Sequence, residues 1–244
     1  MFFYNLLISE GSISDKLLVA LAFVLSATFA IVIHEVSHGY VALLNGDLTA
    51  KSRGRLTFNP VAHFDLFGVV MVLLVGFGWA KPVPINPANF TKYKRGMLTV
   101  SLAGVGANIV VAGVSLLLFF LCMPLFYFVE INSKFAEVLV TLLFYVLYCS
   151  IRVNMMLALF NLIPIYPLDG YNIVNTFLKP YNKYQEFMVR YGSYCLIGLI
   201  VLAYVGRLTG IAWLDIFGSF NNVITKLVEA VTKSGLITWF EWLY

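Results

Sequence analysis

The chain has 244 residues, of which 61% are hydrophobic and only 11% are charged, and its mean hydropathy is +0.88. Soluble domains carry about 25% charged and about 45–50% apolar residues, so this composition excludes a soluble fold and indicates an integral membrane protein. The net charge of +4 is explained by basic loops beside membrane spans, and nucleic-acid binding is not predicted. Cys122, Cys149 and Cys195 are widely spaced in apolar runs, which predicts buried thiols rather than a disulfide framework or a CxxC metal site.

The apolar segments predict the membrane topology. Residues 1–15 contain no basic region before the first segment, so we expect that segment to be retained rather than cleaved as a signal peptide. Four segments approach or exceed the ~20 residues that a spanning helix needs, at 17–44, 97–129, 138–164 and 191–205. A fifth, 66–79, is short and has basic residues on both sides, which predicts a re-entrant segment rather than a span.

Between the first two spans the pattern changes to a period of two. Apolar or small residues alternate with polar ones over 48–58, which predicts a half-buried strand. Residues 81–85 could pair with it, but Pro82 and Pro84 would confine that piece to a sheet edge. We therefore expect a small membrane-surface β-sheet whose free edge could hold an extended peptide by strand addition.

The last apolar stretch, 211–231, has hydrophobic residues at helical spacing with polar residues between them. This pattern favours an interfacial amphipathic helix, although a span is not excluded. The predicted fold is an α-helical polytopic membrane protein with four to six transmembrane helices, and residues 1–244 form one domain. Its parts are the first span at 17–44, the surface strands and re-entrant segment at 48–86, the second span at 97–129, the third span with the motif after it at 138–172, the fourth span at 191–205 and the terminal helix at 211–231.

The first span contains the run His34-Glu35-Val36-Ser37-His38. Positions i and i+4 share one helix face, so both imidazoles can reach one metal while Glu35, about 100° round, lies beside a water bound to it. Such a motif arises by chance in roughly one chain in a hundred of this length. A carboxylic acid within a span costs on the order of 2–3 kcal/mol, which favours a functional site over a purely structural role.

A catalytic zinc needs a third protein ligand and an open position for water. His63 is the remaining histidine. A stronger candidate is Asp169 in the run 161–170, where two prolines end the third span and an Asp-Gly pair follows at the membrane edge. An Asp-Gly after prolines is by itself most simply an ordinary turn, but its combination with the histidine motif favours the ligand.

The basic loops test whether the histidine motif and Asp169 can lie on the same side of the membrane. Residues 51–55 and 81–95 are rich in Lys and Arg, so the positive-inside rule predicts that they are cytoplasmic. His34 and His38 then lie toward the cytoplasmic end of the first span, and Asp169 lies just past the cytoplasmic end of the third. Both halves of the predicted site fall on the same side of the membrane.

With these two motifs, in this order and spacing, the chain resembles the site-2 protease family of intramembrane zinc metalloproteases, over residues 31 to about 172. The resemblance implies that His34, His38 and Asp169 bind one Zn²⁺ per chain, that Glu35 activates water, and that the substrate is a transmembrane protein. It also implies a compact form without a PDZ or CBS domain. We expect a bacterial-type cytoplasmic membrane, with the active site opening to the cytoplasm.

Four further residues follow from the same resemblance or from spacing. Asn108 falls where relatives carry an AGPxxN-like motif, with Val105 here in place of the proline, and it is expected either to bind substrate backbone or an oxyanion or to pack between helices. Asn154 and Asn161 lie seven residues apart on one helix face and are candidates to support the ligands, and Asn161 could also bind substrate. His63 is either an accessory residue near the site or a membrane-surface histidine.

Alternatives of other classes remain open at this point. A zinc transporter or metal sensor would use the same ligands without needing Glu35 as an acid. A different membrane protease with a glutamate as third ligand, or a catalytically silent relative that only binds, would also fit the motif. The loops leave no room for a large sensing domain, so we expect membrane geometry, the edge strand or a regulatory membrane partner to select the substrate.

Overall fold

The computed structural model describes residues 12–65, 67–68, 80–128 and 133–232. These ranges are mostly helical. Their α-helices are α1 (Ile13–Leu44), α2 (Thr49–Ser52), α3 (Tyr93–Phe128), α4 (Lys134–Asn161), α5 (Asp169–Phe177), α6 (Lys183–Thr209) and α7 (Ile216–Thr232). Short 3-10 helices cover Pro60–Ala62 and Pro87–Asn89.

The helices α1, α3, α4 and α6 are long and apolar enough to cross a membrane, as the sequence predicts. Ser12 caps the N-terminus of α1, and its hydroxyl accepts a hydrogen bond from the Asp15 amide at 3.1 Å. This bond satisfies one of the amide donors that have no partner within the helix. Inside the span, the Ser26 hydroxyl donates to the Val146 carbonyl of α4 at 3.0 Å. A polar residue of this kind joins two helices where no water can satisfy it.

Three of the spans form the core, and the fourth lies outside it. In the most apolar stretch of α1, α3 and α4, 33%, 28% and 39% of the residues are buried inside the protein, against 11% in α6. α1, α3 and α4 all contact each other, and the short helix α5 contacts α3. The functional motifs therefore lie on the packed part of the bundle.

The terminal helix α7 packs against α4. Its Ile224 and Val228 are buried together with Phe119 and Phe144. Arg152 of α4 donates to the side chain of Asn221 and, at 2.8 Å, to the Tyr148 hydroxyl. A helix is therefore present in the predicted segment, with Ile224 and Val228 packed on the bundle and Val223 and Leu227 half exposed. Its position relative to the membrane stays a prediction.

The predicted strand at 48–58 is wrong. Residues Thr49–Ser52 form a helical turn, and the chain then continues irregularly past Gly54, which has a φ of +64°. The guanidinium of Arg55 donates to the carbonyls of Lys81 and Pro82 at 2.8 and 3.3 Å. Side chain–backbone bonds thus join the two segments that a strand ladder was expected to join. The alternation of residues does not match their burial, because Leu48 and Phe58 are exposed while Ala50 is buried.

Residues 81–85 are extended but pair with no strand in the part of the chain that the structure describes. The pairing observed next to them is an isolated antiparallel bridge between Phe64 and Ala80. The predicted small β-sheet is therefore not formed by 48–58 and 81–85. Most of the predicted re-entrant segment, residues 66 and 69–79, lies outside the described ranges, so that part stays a prediction.

Candidate metal centre

Three side chains with ligand atoms converge where α1 meets the start of α5. His34 and His38 lie one turn apart on α1, both buried, and Asp169 is the first residue of α5. The Oδ2 atom of Asp169 is 3.3 Å from the Nε2 atom of each histidine, and the two Nε2 atoms are 3.0 Å apart. These residues could hold one metal ion, because their ligand atoms all lie within 4.8 Å of one another.

The partners of the two imidazoles define which nitrogen carries the proton. His34 Nδ1 lies 2.6 Å from the Asn108 side-chain oxygen, and His38 Nδ1 lies 2.7 Å from the Val100 carbonyl. Both partners accept hydrogen bonds, so each neutral ring donates from Nδ1 and presents a lone pair at Nε2. The buried Asp169 Oδ2 receives no hydrogen bond. Three acceptors thus face one another without a donor, an arrangement that a bound cation would stabilise.

A chain of amides and hydroxyls behind His34 fixes its orientation. The Asn108 amide nitrogen donates to the Ala30 carbonyl at 3.1 Å and to the Asn154 side-chain oxygen at 2.8 Å, so its own oxygen is the acceptor for His34. Asn154 in turn donates to the Ser150 carbonyl at 2.9 Å. Asn108 and Asn154 are both fully buried. Because Asn108 lies on α3 and Asn154 on α4, three spanning helices contribute to holding the imidazole of His34 on α1.

Gly104 of α3 is in direct contact with both imidazoles. A Cβ atom built on it would lie 2.5 Å from His38 Nε2 and 2.6 Å from His34 Cε1, distances that no real side chain tolerates. Gly106, two residues further along the same helix, has nothing within 4 Å of its Cβ position. The close approach of α3 to the ligands therefore requires glycine at position 104.

Glu35 faces a cavity of about 310 Å³ beside the two histidines. One side of this cavity is formed by residues 82–90, which we call the cleft wall. The Val83 amide in the wall donates to Glu35 Oε2 at 2.8 Å. The lining residues are His34, Glu35, His38, Pro82, Val83, Ile85, Pro87, Phe90, Met97, Val100, Ser101, Asn161, Pro167, Asp169 and Asn172. The cavity thus has a mixed lining, to which the cleft wall contributes mainly apolar residues, while the metal centre together with Ser101, Asn161 and Asn172 contributes polar groups.

Comparison with known proteins agrees with this geometry. The model of peptidase family M50 matches residues 22–201, which include both motifs. The chain belongs to peptidase family M50. It is also 35% identical over 208 residues to the Bacillus subtilis (strain 168) protein named Putative zinc metalloprotease YwhC, covering 85% of this chain and 91% of that protein. No solved structure matches the chain. The resemblance to site-2 proteases is confirmed, and the protein is a metalloprotease.

The turn that delivers Asp169 in this M50 peptidase is tightly built. A Cβ on Gly170 would lie 2.3 Å from the Leu162 carbonyl oxygen and 2.5 Å from that of Ile163, so the chain folds back directly onto the end of α4. The Tyr184 hydroxyl of α6 donates to the Pro164 carbonyl at 2.7 Å. The peripheral fourth span thereby contacts the turn that carries the acidic ligand candidate.

The structure separates the three asparagines that the sequence singles out. Asn108 and Asn154 lie behind His34 and not on the cavity, so their contacts are those of residues that orient a ligand. Both polar atoms of the Asn108 side chain take part in these bonds, and a direct contact of Asn108 with substrate stays a prediction. Asn161 does line the cavity, and its side-chain nitrogen donates to the Leu157 carbonyl at 2.9 Å. Its side-chain oxygen is therefore the candidate atom for a contact with substrate.

His63 does not line the cavity. Its ring is fully buried, and Nε2 donates to the Thr57 carbonyl at 2.8 Å. Its own carbonyl accepts a hydrogen bond from the Lys81 amide at 2.8 Å. His63 therefore links the loop after α2, at Thr57, to Lys81 just before the cleft wall. These are the contacts of a buried residue rather than those of a membrane-surface histidine.

Two residues of the site were not identified from the sequence. One is Gly104, because the close approach of α3 to the histidines cannot be inferred without the packing. Asn172 also lines the cavity. Its position three residues after Asp169 was a usable signal, because residues at i and i+3 share one helix face.

Proposed function

We propose that this protein is a zinc-dependent endopeptidase that hydrolyses a peptide bond in or near a transmembrane segment of a membrane-protein substrate, in the manner of regulated intramembrane proteolysis. The observation that carries the proposal is the convergence of the ligand atoms of His34, His38 and Asp169 beside Glu35 and an open cavity. Membership of a zinc metalloprotease family supports it. A transporter or a silent relative has no comparable use for a carboxylate facing the cavity.

The donor set fits zinc. Two imidazole nitrogens and one carboxylate oxygen are ligands that zinc accepts, and three protein ligands leave one position for water or substrate. We propose that His34, His38 and Asp169 hold one zinc ion per chain. When bound there, the ion supplies Lewis-acid chemistry, which polarises a carbonyl and makes water more acidic.

The protein's own groups supply the proton transfers and the positioning. Glu35 takes a proton from the attacking water and later gives it to the leaving amine. The Val83 amide keeps one oxygen of Glu35 occupied, so the other oxygen is free to face the water. Asn161 offers an amide to the backbone of an extended substrate in the cavity. A transmembrane substrate must unwind locally before cleavage, because its carbonyls are otherwise bonded within its helix.

The decisive experiment compares Glu35→Gln with Asp169→Ala in purified protein. Glu35→Gln should retain zinc, because it removes no ligand, and should lower the rate of peptide cleavage by about 10²–10⁴-fold, the usual contribution of a general base. Asp169→Ala should lose both zinc and cleavage. Zinc is measured by elemental mass spectrometry and cleavage on a transmembrane substrate in detergent. Full cleavage by Glu35→Gln, or full zinc retention by Asp169→Ala, would falsify the proposal.

We also propose that the cavity opens to the cytoplasm, because the basic residues of loops 51–55 and 81–95 favour that side under the positive-inside rule. Single cysteines at the exposed positions Lys51 and Lys179 should react with membrane-impermeant reagents only from the cytoplasmic side. Unsubstituted protein controls for its native thiols. Labelling of both positions from the outside contradicts this orientation.

A further inference from the structure

Asp47 is a fully buried carboxylate outside the metal centre. It accepts hydrogen bonds from the amide and hydroxyl of Thr49, from the Asn86 amide at 2.7 Å and from the Asn89 side-chain nitrogen at 2.8 Å. Burial by itself raises the pKa of this carboxyl, but the bonds from Thr49, Asn86 and Asn89 outweigh it and lower the pKa below its usual value. Asp47 is therefore ionised at neutral pH, with both of its oxygens in use.

Asn86 and Asn89 belong to the cleft wall, which has little means of holding its own shape. Across residues 82–90 the structure has only the 3-10 turn Pro87–Asn89, and Pro82 and Pro84 carry no amide hydrogen. No strand ladder supports the wall within the described part of the chain. Besides the bonds of that turn and the burial of Val83 and Phe90, the wall is held by bonds with side chains of neighbouring segments, and Asp47 provides two of them.

The turn that carries Asp47 lies directly against the wall. Gly46 has a φ of +104°, and a Cβ atom on it would lie 3.1 Å from the Asn89 carbonyl oxygen. The Thr91 amide and hydroxyl both donate to the Asn45 carbonyl at 2.9 Å. The end of α1 and the far end of the wall are thus joined at one place, with the ionised carboxylate at its centre.

We propose that Asp47 is a positioning residue that sets the conformation of the cleft wall for substrate and, through the Val83 amide, the orientation of Glu35. Asp47 accepts a hydrogen bond from the Asn86 amide of the cleft wall. In the same wall, the Val83 amide donates to Glu35 Oε2 at 2.8 Å. A misplacement of about 1 Å in a positioning element can cost roughly 10²-fold in rate. This role rests on the proposed peptidase function, since it concerns a wall that binds peptide.

The first test measures the wall itself, independently of activity. In the full-length, zinc-loaded protein, hydrogen–deuterium exchange of peptides covering residues 82–90 should be at least about tenfold faster in Asp47→Ala than in wild type, because local opening is then less costly. Peptides covering residues 20–38 should exchange at the wild-type rate. Asp15→Asn is the matched control, since it removes a carboxylate from the opposite end of α1. Unchanged exchange in the wall of Asp47→Ala overturns the proposal.

The second test measures KM and kcat separately. Asp47→Ala should lower kcat/KM for a transmembrane substrate by roughly ten- to a hundredfold with zinc content unchanged, and Asp47→Asn should fall between it and wild type. Asn89→Ala removes one of the two bonds between Asp47 and the wall from an exposed residue, so it should act in the same direction but less strongly. The double variant Asp47→Ala/Asn89→Ala should be no worse than Asp47→Ala alone, because the bond between the two residues is already absent in Asp47→Ala.

The outcomes separate this inference from the proposed function. Wild-type protein that cleaves no better than Glu35→Gln overturns the peptidase proposal, while the exchange measurement still decides whether Asp47 holds the wall. Active wild type with an equally active Asp47→Ala overturns only the positioning role. Loss of zinc together with activity in both Asp47→Asn and Asn89→Ala would show general destabilisation and would also overturn it.

Discussion

The metal centre and the cleft wall meet at Glu35 but are built in opposite ways. The two imidazoles lie on a spanning helix, and their orientation is set by Asn108 and by the Val100 carbonyl, both on α3. The wall, residues 82–90, has almost no regular structure and is held by individual bonds with the side chains of Asp47, Arg55 and Glu35. Helices satisfy their own backbone groups, whereas an irregular segment depends on side chains that come from elsewhere.

Under the proposed function, this difference corresponds to two separate requirements, which are to hold a metal and to accept an extended peptide. Groups that hold a metal need fixed positions to within about 0.5 Å, and rigid elements provide that precision. A surface that accepts an unwound backbone needs exposed polar groups of its own, which regular helices do not offer. Disturbing the metal centre should therefore change metal binding, and disturbing the wall should change turnover while the metal stays in place.

The largest effect is expected where α3 touches both imidazoles. Gly104→Ala should lower zinc affinity by at least about a hundredfold and abolish cleavage, because its methyl group would lie 2.5 Å from His38 Nε2. Zinc affinity is measured by competition with a chelator. Gly106→Ala, on the same helix and with open space at its Cβ, should bind zinc as wild type does. Equal affinity of the two variants contradicts the close packing of α3 on the ligands.

A smaller effect is expected from the bond behind His34. Asn108→Ala should weaken zinc binding by about 10–100-fold, the usual cost of losing a group that orients a metal ligand. Asn108→Asp should bind more tightly than the alanine variant, because it keeps an acceptor for His34 Nδ1. If instead Asn108→Ala retained zinc fully but lost cleavage, Asn108 would have to act on substrate rather than on the ligand.

The smallest effect is expected in the wall. Val83→Pro removes the amide that donates to Glu35 and should lower kcat roughly tenfold, as expected for one hydrogen bond to a charged group. Val83→Ala keeps that amide and serves as the control. Zinc content should be the same in both variants. A loss of zinc in Val83→Pro would mean that the wall and the metal centre are not separable as described.

The sequence was sufficient for the parts of this protein that rest on one helix or on composition. The four spanning helices follow from the length of apolar segments, because a bilayer demands about 20 consecutive apolar residues. The pairing of His34 and His38 follows from the 3.6-residue period alone. Asp169 needed a second motif and the resemblance to a family, since an Asp-Gly after prolines is by itself an ordinary turn.

The tertiary structure decided everything that depends on two segments meeting. The alternation at 48–58 predicted a strand, yet Arg55 bonds to the carbonyls of Lys81 and Pro82 from a loop. Over so short a segment a period of two does not fix which residues are buried, and Leu48 and Phe58 are in fact exposed. The contact of Asn108 with His34 spans 74 positions of sequence and could likewise not be predicted from either segment alone. Helical periodicity predicts which face of a span is buried, but the partner of that face is set by how α1, α3 and α4 pack.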